Sequence, residues 1–266
     1  MRARLQGRPG PSLVQPYRDL AKLWGKEAVL AERASRIALC APGIVLGVAL
    51  TFAGAVPLFV RGLFDGSIDV VALAFLLALG RIVMALAALD VRSSFTGLAA
   101  GRELAFSSLV EPALLLALLG SSVLHFGTSL GAVHAAPFGL AGLLALGAFC
   151  IALIAETARI PIDNQETHYE LTMMHEGLTL EYAGWQLAMV QAAAYIRQIA
   201  FLALAATLLP GPSALAVAWM ALLAIAITAV ETIYGRLRLF VAPQLVLTAI
   251  ILAATSIGLR ALGITS

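Results

Sequence analysis

The sequence predicts an all-α protein, a polytopic transmembrane helix bundle, and three observations carry that prediction. Of the 266 residues 61% are hydrophobic and only 12% charged, with a mean hydropathy of +0.95; soluble domains run nearer half apolar and a quarter charged. Seven apolar runs approach the length of about 20 residues that a helix needs to cross a hydrocarbon core of about 30 Å. Lysine and arginine are spread unevenly over the links between those runs, as in chains with a fixed orientation across a bilayer. The net charge of +2 is too small to imply nucleic-acid binding.

The chain opens on a basic segment, 1–36, expected to be cytoplasmic, ahead of a membrane domain over 37–266. Its start, MRARLQGRPGPSLVQ, lacks the short apolar core of a signal peptide. QPYRDLAKLWGKEAVLAERASR (15–36) has helical character, with Leu20, Leu23 and Trp24 on one side and charges elsewhere. Such a helix lies on an anionic leaflet or offers a docking surface to a cytoplasmic partner. Spans are expected at about 37–60, 68–90, 107–126, 138–158, 184–208, 213–233 and 240–262. The links 91–106, 159–183 and 234–239 carry most of the remaining charge.

Segment 1–36 holds eight Lys or Arg, and alternate links add Arg92, Arg102, Arg159, Arg236 and Arg238. Only Arg61 and Arg260 fall on the opposite side. This asymmetry predicts a cytoplasmic N-terminus and, with seven spans, an outside C-terminus. Cys40 and Cys150 sit inside apolar runs without CxxC spacing, which argues against a disulfide framework, an iron–sulfur cluster or a zinc site.

Ionisable groups inside a bilayer cost roughly 2.5–3.5 kcal/mol each on insertion scales and are usually paired or functional. Arg81 falls near the centre of the second run, FLLALGRIVMALAALD, and Arg197 near the centre of the fifth, MVQAAAYIRQIAFLALAA. Asp90, Glu111, Glu156 and Glu231 lie within a turn or two of the expected cytoplasmic ends of their spans. Four acids at one depth with two deeper arginines would line a polar cavity open to the cytoplasm. The competing arrangement has the acids reaching the headgroups and each arginine tied to a carbonyl or a single Glu. Carboxylates among arginines also suit a proton relay, because each group exchanges protons with water and biases its neighbour.

The link 159–183 is denser still. It contains Arg159, Asp163, Glu166, Glu170, Glu176 and Glu181, with His168 and His175. Pro161 blocks simple continuation of the fourth span. Asn164 offers an N-cap and Thr167-x-x-Glu170 a capping pattern, predicting a helix with Glu166 and Glu170 one turn apart on one face and His168 and His175 two turns apart on another. The His and Glu spacing matches no HExxH-type metal motif. Apolar residues interleaved with the acids, such as Ile160, Ile162, Tyr169 and Met174, are poorly explained by a merely solvated loop.

The order Glu156, Arg159, Pro161, Asp163, Glu166, Glu170-Leu171, then Glu181-Tyr182 and Gly184, resembles the pattern E-x-x-R-x-P-F-D-x-x-E-x-E-x-E-L followed by E-Y-S-G. That pattern belongs to the membrane component that anchors the peripheral arm of respiratory complex I, and to its counterparts in hydrogenase-4, formate hydrogenlyase and related membrane-bound [NiFe] hydrogenases. Here Ile162 stands for Phe, His168 for an acid and Ala183 for Ser. RARLQGRPGPSLVQPYRDLAKL (2–23) is similar to the family's first cytoplasmic loop. LGRIVMALAALDVRSSFTGLAAGRELAFSSLVEP (79–112) resembles the hydrogenase branch, with Arg81, Asp90, Arg102-Glu103 and Glu111-Pro112. Arg197-Gln198 resembles a Lys-Gln step of that branch, and Glu231 falls where a cytoplasmic-end Glu recurs. Family members have eight spans; this chain is expected to hold seven, starting in the equivalent of the first loop. Gln191 stands where hydrogenase-type relatives often have Glu or Lys.

The resemblance implies a non-catalytic anchoring and coupling subunit of an oxidoreductase complex, linking redox chemistry in a cytoplasmic arm to proton or sodium translocation. It implies that Glu111, Glu156, Arg159, Asp163, Glu166, Glu170 and Glu181 line or support a cavity beneath that arm. Arg81, Arg197, Glu231 and Asp90 would form a charge path inward, and Arg18, Asp19, Lys22 and Arg102 would dock the arm. The implied partners are a hydrogenase-like or complex I-like large subunit, an Fe–S subunit and antiporter-like membrane subunits. Fe–S and [NiFe] centres would lie in those partners, with no cofactor bound by this chain unless a quinone enters. Two rival readings are a stand-alone secondary transporter, in which Arg81 and Arg197 hold an anion, and a passive membrane anchor. The first lacks an inverted repeat and Gly- or Pro-broken helix pairs at matching positions.

Overall fold

Apolar sequence becomes helix here because only hydrogen bonds made within the segment satisfy the backbone in a bilayer. The computed structural model describes residues 7, 9–12, 14–29, 34–56, 68–120, 127–135, 137–163, 174–211, 213–235, 237 and 241–263. Their helices are α1 (Gln15–Trp24), α2 (Arg36–Ala55), α3 (Val70–Asp90), α4 (Ser94–Leu119) and α5 (Leu130–Ala135). There follow α6 (Leu140–Glu156), α7 (Gly184–Thr207), α8 (Ser213–Ile233) and α9 (Ala242–Ala261), with a single 3-10 turn at Glu176–Thr179. Among the described residues the only β pairing is an isolated bridge between Asp69 and Ser129.

The helices α2, α3, α7, α8 and α9 are long and apolar enough to cross a membrane. Of the other two expected spans, α6 is apolar but has only 17 residues. The remaining helix, α4, has 26 residues and carries Arg102, Glu103 and Glu111. It corrects the expected third span: the helix starts at Ser94, not near 107, so the charged stretch 94–106 is helical rather than a link. Glu111 therefore lies well inside its helix rather than near a cytoplasmic end. A hydropathy window ends a span at charges, and cannot see that these charges meet partners on other helices.

A second correction concerns the N-terminal segment. The helix stops at Trp24, where the Gly25 amide bonds back to Ala21, and 26–29 continue without helix. The helix expected from Asn164, with Glu166, His168 and Glu170, lies outside the described residues. His175, which that helix was expected to include, instead precedes the 3-10 turn.

The helices pack as two groups. In the first, α2 lies against both α3 and α7, with Ala38, Ala41, Val45 and Ala49 buried at helical spacing. The alanines let the backbones approach closely; a methyl group on Gly80 would sit 3.1 Å from Val48. In the second group, α9 packs on α4 and α6 around Val246, Ala249 and Ala253. The Phe52–Phe201 rings, at 4.8 Å between centroids, and Phe149 carry the core across both groups. The helix α3 joins the groups by packing on α4, while α8 rests on α7 and is mostly exposed.

Caps and ties fix the helix ends. Asp69 accepts from the Val71 amide at 2.7 Å and from Thr128 Oγ1 at 2.8 Å, holding the start of α3 to the start of α5. Asp90 accepts from the Ser35 amide at 2.7 Å, tying the end of α3 to the start of α2. Tyr182, after the 3-10 turn, donates its buried hydroxyl to the Ala38 carbonyl at 2.9 Å. Burial, with the nearby Asp90 carboxylate adding to it, pushes its phenol up to about 12. The unfolded phenol ionises near pH 10, so above that pH the unfolded chain releases a proton that the folded chain keeps. Stability is therefore expected to fall from about pH 10 to about pH 12. Tyr182→Phe should flatten that fall and cost about 1 kcal/mol at neutral pH, both readable by thermal unfolding in detergent.

Candidate functional site

The two helix groups meet around a cluster of charges. Arg81 projects from the middle of α3 and is only 6% exposed. Its guanidinium bonds Glu156 at the end of α6, lies 3.1 Å from Glu111 and 4.0 Å from Glu103, both on α4. One cation thus binds three helices. Taking an arginine and carboxylates out of water is costly, and only close mutual pairing offsets it. The three acids exceed the single guanidinium they share, which makes the cluster receptive to further positive charge.

A cavity of about 460 Å³ opens beside this cluster. Arg81 and Glu103 form one wall; Arg159, His175 and Tyr182 come from the segment between α6 and α7; Tyr195, Arg197 and Gln198 come from α7. Glu103 is buried, and its carboxylate lies 3.3 Å from His175 Nδ1. On the far side Arg159 contacts Glu231 of α8 at 3.3 Å and donates to Gln198 at 2.5 Å. No carboxylate among the described residues comes within ion-pair distance of Arg197, although it shares the cavity with Arg81. The local backbone builds this mouth: α6 ends at Glu156, Ala158 takes a positive φ of 52°, and the Arg159 amide bonds back to the Ile154 carbonyl at 3.1 Å. That turn brings Arg159 back over the helix end.

The structure therefore brings together Arg81, Glu111, Glu156, Arg159, Arg197 and Glu231. It does not bring every expected residue to the same place. Asp90 stands at the Ser35 tie, away from the cluster. Asp163 is buried just beyond Pro161 but does not line the cavity, and Glu181 is half-buried outside it. Arg18, Asp19 and Lys22 are exposed on α1, while Arg102 is half-buried on α4. Glu166 and Glu170 are outside the described residues.

Comparison with known proteins gives this arrangement its family. The family model described as NADH dehydrogenase matches residues 1–260. The chain belongs to the NADH dehydrogenase family. Hydrogenase-4 component C of Escherichia coli (strain K12) is 35% identical over 205 residues, covering 75% of this chain and 64% of the relative. Formate hydrogenlyase subunit 4 of the same organism is 33% identical over 190 residues, covering 69% of this chain and 61% of the relative. The chain thus spans less than two thirds of the length of these curated relatives. In fold it is similar to a chain in the structure of the membrane-bound sulfane sulfur reductase, an archaeal respiratory membrane complex. That match has a TM-score of 0.81 at 20% identity and covers 96% of this chain and 89% of that one.

This NADH dehydrogenase family member is a multi-pass membrane protein, and two of its cavity residues are not legible in the sequence as site residues. Glu103 is hidden by its place in an expected link; the signal that finds it is its position two turns before Glu111 on what proves to be one helix. His175 stands in the sequence only as a spacing from His168. Its packing against α4 is a tertiary fact.

Proposed function

We propose that this chain is the membrane component that fastens a redox arm to the bilayer and couples its chemistry to ion movement, in an assembly of the hydrogenase-4, formate hydrogenlyase or complex I type. The observation that carries this reading is Arg81 bound to three glutamates from two other helices on the wall of a polar cavity. By the Lys and Arg asymmetry the cavity mouth faces the cytoplasm, where the arm and its iron–sulfur and [NiFe] centres would sit.

Coupling needs a charge change at the mouth to be felt within the membrane. Unit charges 4 Å apart interact by about 4 kcal/mol at an effective dielectric of about 20, enough to move a neighbour's proton. A negative charge or a proton arriving near Arg159 and His175 reaches the Arg81 cluster through contacts of that order. Glu111, the most exposed of the three acids at 34%, is the group best placed to pass a proton onward. A quinone headgroup also fits the wall: Tyr195 and His175 would hold its carbonyl oxygens, and Val45, Met84 and Val190 its apolar side. Bound there, a quinone would supply a carrier of electrons and protons.

Glu111→Gln keeps the shape of the side chain and one polar contact to Arg81. In membrane vesicles carrying the assembled complex it is expected to lower the number of ions moved per electron, while the large and Fe–S subunits still co-purify with this chain. An unchanged ratio would count against coupling and leave a passive anchor. Failure of those subunits to co-purify with the unsubstituted chain would remove the anchoring role as well.

A further inference from the structure

Two buried polar atoms face each other on the cavity wall with no other partner among the described residues. Nδ1 of His175 and Oε2 of Glu103 lie 3.3 Å apart without forming a hydrogen bond as placed, and neither makes one to any other described residue. A buried polar atom without a partner costs about 1–3 kcal/mol. A proton held between them, carried by the imidazole or by the carboxylate, would satisfy both. The two side chains differ in access: Glu103 is 3% exposed and His175 21%, with its Nδ1 edge buried. Glu103 also lines the cavity, but its Oε2 is buried, and the more exposed imidazole is the group set against that atom. Glu103 in turn is 4.0 Å from Arg81 through its other oxygen.

We propose that His175 and Glu103 form the port through which protons pass between the cavity and the Arg81 cluster. The inference rests on the coupling role proposed above for this cavity. A proton taken up at Nε2 from cavity water makes the imidazolium. The Nδ1 proton then passes to Oε2 of Glu103, leaving a neutral imidazole protonated at Nε2 and a neutral carboxyl. Neutral Glu103 no longer attracts Arg81, whose remaining partners are Glu111 and Glu156, so the arriving proton changes the balance within the cluster. The reverse steps return the proton to the cavity. The charged and titratable groups around the ring are Glu103 from α4, Arg81 from α3 and the adjacent Glu176. Tyr182 and Arg159 of the α6–α7 segment and Tyr195 and Arg197 of α7 line the same cavity.

The test uses the full-length protein in phospholipid nanodiscs, mixed rapidly into heavy water and followed by infrared spectroscopy. At a pH low enough to load Glu103 with the proton, its carboxyl absorbs apart from carboxylates and shifts on deuteration, and Glu103→Gln identifies that band by its loss. His175→Ala is expected to slow deuteration of that band by roughly a hundredfold or more, the lower end of what a positioned acid–base group contributes. Added imidazole, which the cavity admits, should restore the rate. His175→Gln, which keeps a polar side chain of similar reach but cannot shuttle, should be slow as well. An unchanged rate in His175→Ala, recovery in His175→Gln without imidazole, or no band lost in Glu103→Gln would overturn the port. Because proton exchange is read in this chain alone, the port can fail while Glu111→Gln still alters ions per electron in the complex, and the reverse.

Discussion

Arg81→Met is expected to destabilise the membrane domain by about 3–5 kcal/mol, the range for breaking a buried ion pair by removing one partner. The replacement leaves Glu103 and Glu156 buried with no guanidinium between them, and removes the side chain that joins α3 to α4 and α6. A lowered midpoint of thermal unfolding in detergent reads the effect, together with a smaller yield of folded protein from membranes. Arg81→Lys should fall between the two, because an ammonium is a single point charge and cannot span three carboxylates with a planar fork. Adding Glu103→Gln and Glu156→Gln to Arg81→Met should recover part of the loss, since the orphaned charges are then gone. If Arg81→Met unfolds with the unsubstituted protein, the cluster does not hold the two helix groups together.

Gly184→Ala is the second large effect. Gly184 opens α7 at a φ of +57°, and an added Cβ would lie 2.3 Å from the Glu27 carbonyl oxygen and 2.5 Å from that of Lys26. The left-handed backbone alone costs a non-glycine residue roughly 1–3 kcal/mol, and the overlap is with main chain rather than a side chain that can swing away. The loop after α1 must therefore leave α7. Trypsin cleavage after Lys26 is expected to rise by roughly tenfold or more, the factor that about 1.4 kcal/mol of lost docking produces. Gly47→Ala, on α2 with nothing within 4 Å of the added atom, serves as the control and should leave cleavage unaltered.

These two positions also mark how far the sequence can be read. Arg81 stands out because a charge in the middle of an apolar run is expensive wherever its partners are. Gly184 stands out only as part of a family pattern; the approach of a distant loop to its α-carbon supplies the physical reason. Glu103 does not stand out, because its charge, next to that of Arg102, looks like the end of a span.

Composition and periodicity determined on their own that the chain is a helical membrane protein and where its long apolar helices run, α4 excepted, because a bilayer imposes length and apolarity on each segment separately. Arg81 and Arg197 were marked as exceptional by the same local rule. Only the tertiary structure decided that Arg81 binds Glu103, Glu111 and Glu156, that Arg159 turns back to Glu231, and that Asp90 stands apart at a helix tie. Those pairings depend on which helix faces pack together. Hydropathy does not encode that choice: small residues line several faces of this bundle, and the energy separating the possible pairings resides in contacts between residues far apart in the chain.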